Sequence, residues 1–232
     1  MHTWWTALLL VILGTARIAS ALTTDELTKE CQQGYAASCQ ILVELADSGE
    51  GVTQDVAAAV ELYRHACEGK AARGCLNLGV MYATGHGVTQ DDAQAVALYR
   101  QACDGKEAGG CVNLGMQYEK GRGVTPDDGT AARLYRQACE SHYGLGCHNL
   151  GVLYASGRGV TRNYGTAVAL YRQACDFQYA LGCHKLGVVY QYEYGTGARQ
   201  FVQEALKFYR KACDLHYQLA CEHHARLTSE KR

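Results

Sequence analysis

Twelve cysteines fall into six pairs whose members stand eight residues apart: Cys31/Cys39, Cys67/Cys75, Cys103/Cys111, Cys139/Cys147, Cys175/Cys183 and Cys213/Cys221. The leading cysteines recur every 36 residues from Cys31 to Cys175, and Cys213 follows after 38. No cysteine lies outside this pattern. A single unit, each copy with its own crosslink, therefore builds the whole chain.

Two pairings are geometrically open. Cys67 can join Cys75 at the junction between units, or Cys39 can join Cys67 across one unit. The first is favoured, because it uses all twelve cysteines, whereas the second strands Cys31 and Cys221. The step of 38 also leaves every eight-residue spacing intact and stretches only the other interval, from 28 to 30. Zinc is disfavoured, since metal-binding cysteines usually stand about two to four residues apart.

The amino terminus supports an oxidising destination. Trp4 to Gly14 is apolar, and Ala19-Ser20-Ala21 fits the small-residue cleavage pattern of a secretory signal, so residues 1–21 read as a signal peptide. The run falls short of the roughly 20 apolar residues that span a bilayer. No stable membrane insertion is expected once it is removed. The remaining chain would carry 21 basic and 23 acidic residues, with no basic stripe, which excludes nucleic acid as a partner. Cysteine density behind such a leader reads as disulfides.

Each unit reads as two helices. Cys75, Leu78, Gly79 and Tyr82 recur at helical spacing, as do Ala95, Leu98, Tyr99 and Ala102. Gly85 is placed to end the first helix in the left-handed conformation. Thr53, Thr89, Thr125 and Thr161 are expected to N-cap the second, with Pro126 in its first turn. Gly79, Gly115, Gly151 and Gly187 keep one helix face thin. The recurring Tyr63, Tyr99, Tyr135, Tyr171 and Tyr209 read as packing residues. Paired helices at a period in the mid-thirties predict an α-solenoid, because one pair cannot bury its apolar face alone.

The block Asn-Leu-Gly-x-x-Tyr, then Gly-x-Gly-Val, then Ala-x-x-Leu-Tyr-Arg-x-Ala-Cys resembles the Sel1-like repeat, a relative of the tetratricopeptide repeat. With the cysteine pairs and leader, the chain is similar to the Helicobacter cysteine-rich proteins over about residues 25–228. The expected fold is all-α: a right-handed α-solenoid of about five disulfide-crosslinked helix pairs with half-repeat caps. The expected organisation is a capping helix in 22–38, repeats at 39–74, 75–110, 111–146, 147–182 and 183–220 (between Cys39 and Cys213), and a half-repeat and tail at 221–232. The resemblance implies a periplasmic or secreted scaffold that holds a peptide or partner protein in a concave groove. It carries two alternatives. One is β-lactamase or penicillin-binding activity, with a β-lactam or peptidoglycan fragment as ligand. The other is an assembly factor of the mitochondrial intermembrane space.

Asn77, Asn113 and Asn149 share one position in successive first helices, followed there by Lys185 and His223. In the tetratricopeptide repeats that this pattern resembles, asparagine at that position faces the groove and hydrogen-bonds peptide backbone. An amide offers both donor and acceptor. His148 and His184, one position earlier, are included in the expected binding face. They and Glu222 do not read as a metal site, since neighbouring helix axes lie about 8–10 Å apart and zinc holds its ligands at about 2 Å. No cofactor is implied. Neither Ser38, Ser48, Ser141, Ser156 nor Ser229 stands three residues before a lysine, and the other serine β-lactamase motifs are absent, as is Cys-x-x-Cys. No catalytic residue is assigned; an enzyme built on this chain would be a weak β-lactam hydrolase without a recognisable motif.

Overall fold

The computed structural model describes residues 23–33, 35–48, 56–193 and 199–229. The expected signal peptide, Thr53 and the insertion near Tyr194 to Ala198 lie outside them. The chain divides into two compact units, Met1–Asp91 and Asp92–Arg232.

The first unit holds α1 (Thr24–Gln32), α2 (Ala36–Ser48), α3 (Val56–Glu68) and α4 (Ala72–Thr84). Helix α1 opens on a capping box: Thr23 Oγ1 accepts from the Glu26 amide, and the Glu26 carboxylate accepts from the Thr23 amide at 2.9 Å. That backbone bond, with the Thr23 hydroxyl behind it, holds the Glu26 carboxyl below the usual carboxylate range. Leu27, Leu42, Val43, Val60 and Leu78 are buried in this unit.

The second unit holds α5 (Asp92–Asp104), α6 (Ala108–Lys120), α7 (Asp128–Glu140), α8 (Gly144–Ser156), α9 (Tyr164–Asp176), α10 (Ala180–Val188), a π-helical turn (Val189–Glu193), α11 (Arg199–Asp214) and α12 (Gln218–Ser229). Each helix packs on the next in sequence, and the first helices α6, α8 and α10 also touch one another in turn. This is the nearest-neighbour packing of a solenoid. The described residues contain helices and no strand.

Two glycine contacts and a disulfide explain the repeat. In three repeats of the second unit the ring of the second-helix tyrosine packs against the glycine of its own first helix. A Cβ at Gly115 would lie 2.6 Å from Tyr135 Cε1, at Gly151 2.7 Å from Tyr171, and at Gly187 2.5 Å from Tyr209. The three tyrosines are 0%, 5% and 0% exposed, so they are core residues. The second contact is in the loop after each first helix. There the chain turns through two left-handed glycines, Gly121/Gly123 and Gly157/Gly159, and the second of each pair rests on the backbone of Asp92 or Asp128.

The junctions carry the disulfides. All six pairs join as Cys31–Cys39, Cys67–Cys75, Cys103–Cys111, Cys139–Cys147, Cys175–Cys183 and Cys213–Cys221. Each links the end of one helix to the start of the next. At the second-helix ends the backbone closes in a Schellman motif. Tyr143 N donates to Ala138 O at 3.0 Å and His142 N to Cys139 O at 2.9 Å, and the same two bonds recur at every later junction. The motif forces one left-handed residue, normally glycine. Here it is Lys70, Lys106, His142, Gln178 and His216, with φ between 58 and 68°.

The N-caps differ from expectation. Helix α7 is capped by Asp127, which accepts from Gly129 N and Thr130 N, and α9 by Asn163, which accepts from Thr166 N. Thr125 and Thr161 lie two residues too early. Pro126 precedes the cap and packs against Gly121.

Candidate functional site

In the second unit the first helices expose a band of few charges. Asn113 and Met116 on α6, Asn149 and Val152 on α8, and Val188 on α10 are half-buried, while Lys185 is exposed. Spacing of three residues puts each polar residue and its apolar neighbour on one helix face. Tyr192, 60% exposed, follows on the π-helical turn. The only carboxylate on these three helices is Glu119, and Arg158 pairs with it at 2.9 Å. The band therefore offers an apolar floor, amides and, at Lys185, a cation. Asn77 is half-buried on α4 in the first unit.

Asn149 stands beside a core network. Its side chain lies near the Tyr135 hydroxyl, which donates to Glu119 Oε2. Burial first, then the Glu119 carboxylate, pushes that phenol well above the ordinary range. Arg158 closes the network by reaching Asp128 through Nη2 at 2.6 Å and Nε at 3.0 Å. Four residues from α6, α7 and the loop after α8 thus form one network beside Asn149.

His148 and His184 do not belong to this band. Each is 6% exposed. His148 packs against Tyr171 and Tyr179, with ring centroids 5.7 and 5.5 Å away, and His184 against Tyr209 and Tyr217 at 5.6 and 5.1 Å. The reason is helical geometry: adjacent residues point about 100° apart, so His148 turns inward where Asn149 turns outward. Burial lowers both imidazoles to about 4, with Lys185 adding to the effect at His148 and His223, then Lys185, at His184. Among the described residues no group of three or more His, Cys, Asp or Glu could hold a metal ion.

A bonded ladder escaped the sequence reading. Arg100 donates to the Tyr118 hydroxyl at 2.9 Å, Arg136 to Tyr154 at 3.0 Å and Arg172 to Tyr190 at 2.7 Å. The signal was present as two fixed repeat positions, the arginine of Leu-Tyr-Arg and the tyrosine of Gly-x-x-Tyr. These bonds tie each second helix to the following first helix and so set the spacing of the band.

The disulfides point to an oxidising, extracytoplasmic environment. No helix among the described residues is long and apolar enough to cross a membrane.

The Sel1 repeat family model matches residues 44–70, 72–106, 108–143, 144–176 and 178–217. A solved Sel1 repeat protein from Oxalobacter formigenes is 26% identical, with 81% of this chain and 76% of that one covered and a TM-score of 0.72. One from Klebsiella pneumoniae subsp. pneumoniae shares the fold at 16% identity, covering 89% of this chain and all of the other (100%), with a TM-score of 0.55. Cysteine rich protein B of Helicobacter pylori is 31% identical over 57% of this chain and 96% of its own, with a TM-score of 0.47. No curated protein matches the chain. Matched repeats over most of its length, on helix pairs that pack as in solved Sel1 proteins, place the chain in the Sel1 repeat family.

Proposed function

We propose that this protein is an exported scaffold, periplasmic or secreted, whose first-helix band in the second unit binds an extended segment of a partner protein. The Sel1 fold is a protein–protein interaction scaffold, and the reading adds where the partner lies. It rests on one observation: amide and apolar side chains alternate along α6 and α8, with Lys185 beyond them, on helices otherwise almost free of charge. An extended peptide presents donors and acceptors in regular succession, which side-chain amides match. Its alternate side chains would lie on Met116, Val152 and Val188, and a carboxylate near the α10 end would meet Lys185.

The test is capture by the oxidised chain beside an Asn113→Ala, Asn149→Ala variant, with circular dichroism reporting the fold of both. Each lost hydrogen bond is worth about 1 kcal/mol, so the pair is expected to weaken binding by about tenfold or more. Equal affinity in a folded variant would remove the band from the binding site.

A further inference from the structure

We propose that the His184–His223 contact is an acid-released latch holding α12, the last first helix, on the end of the second unit. His184 Nε2 lies 3.3 Å from His223 Nδ1 in a hydrogen bond. His184 Nδ1 is buried and has no hydrogen-bond partner among the described residues. One arrangement of protons suits this geometry. His184 carries its proton on Nε2 and donates it, leaving a bare Nδ1 inside, and His223 accepts at Nδ1. A further proton has no favourable place. On His184 Nδ1 it creates a buried donor without an acceptor, and on His223 Nδ1 it sets N–H against N–H.

The cationic surroundings act in the same direction. Lys185 approaches from α10 and Arg226 from α12, while Glu222, also on α12, acts on His223 in the opposite sense. Tyr209 of α11 and Tyr217, just before α12, contribute ring faces. Burial lowers His184 to about 4 and also lowers His223. The sign follows: a depressed imidazole stabilises the closed form above its ordinary value of about 6.5, and that contribution fades as pH falls from there towards about 4.

Helix α12 is the element that gives way. Among the described helices it packs mainly on α11, whereas α8, which carries the similarly buried His148, is packed between α7 and α9. Beyond the histidines α12 is held by Ala220, Leu227, the Arg226–Tyr192 hydrogen bond at 3.5 Å and the Cys213–Cys221 disulfide. The disulfide makes release local and reversible, because the helix stays tethered while its apolar face leaves Phe208 and Tyr209.

Hydrogen exchange tests this on the oxidised full chain at pH 7.0 and 4.5, with rates corrected for intrinsic exchange. Protection across Gln218–Ser229 is expected to fall by about tenfold or more in acid, while α7 keeps its own. His223→Phe, which cannot take a proton and removes the acceptor of His184 Nε2, is expected to diminish the pH dependence, leaving the share that comes from the buried His184. Equal protection of α12 at both pH values would overturn the latch, as would an undiminished acid response in His223→Phe. Should that variant fail to fold, the imidazole carbon resonances of the wild type decide: the latch requires His184 to titrate well below the ordinary range together with the loss of α12 protection, and an ordinary titration would overturn it.

Discussion

Full reduction and alkylation of the six disulfides is expected to abolish most of the helical signal in water at 25 °C. Each bridge closes a loop with a sequence separation of eight, and the chain-entropy model assigns a loop of that size about 2.5 kcal/mol. Six such terms together reach the roughly 5–15 kcal/mol by which folded domains are stable at all. A solenoid has little in reserve, since every helix pair depends on its neighbours to bury one face. The order of loss is also expected. The cysteines of the first five bridges are 8% exposed or less, whereas Cys213 and Cys221 are half-buried. Mild reductant should therefore open Cys213–Cys221 first, read by mass spectrometry of alkylated peptides. A fully alkylated chain that kept a cooperative melt at the oxidised midpoint would contradict this account of stability.

Gly159→Ala is expected to destabilise the second unit by about 3 kcal/mol or more, because two costs coincide. Gly159 has a φ of 65°, and a Cβ there would lie 2.2 Å from the Asp128 carbonyl carbon and 2.5 Å from Gly129 N. Backbone, not a rotatable side chain, stands in the way. Relief requires the loop to move, which pulls Arg158 from Asp128 and Glu119. Gly165→Ala is the matched control. Its Cβ would meet only Asn163 Oδ1, at an ordinary 3.5 Å, and it sits in the first turn of α9, so the change is expected to be neutral or stabilising by about 0.5 kcal/mol. Urea denaturation of both variants gives the comparison. Equal stability of Gly159→Ala and wild type would show that the loop does not bear on α7 as described.

The strictly periodic features are legible in the sequence. The cysteine spacing selects the junction pairing, and the glycine and tyrosine positions read as close approach and packing, which Gly151 beneath Tyr171 illustrates. What was hidden depends on direction rather than on period. His148 and Asn149 are adjacent in the sequence and both recur, yet only the asparagine turns outward. The caps were misplaced because Thr161 and Asn163 both have capping chemistry, and the choice is made by where the Gly157–Gly159 loop delivers the chain. The left-handed His142 and Gln178 could not be read from residue type, since the Schellman closure imposes a conformation that those side chains do not prefer.

The central claim is that an extended partner segment runs along α6, α8 and α10. Photo-crosslinking reports this most directly, with a benzophenone side chain placed in turn at Met116, Val152 and Val188, and at Ala97 and Arg133 on the second helices for comparison. The account predicts crosslinks from the first three positions to successive residues of one segment, in order along it, and none from the last two. Crosslinks confined to Ala97 and Arg133, or a scatter without order along the segment, would contradict it.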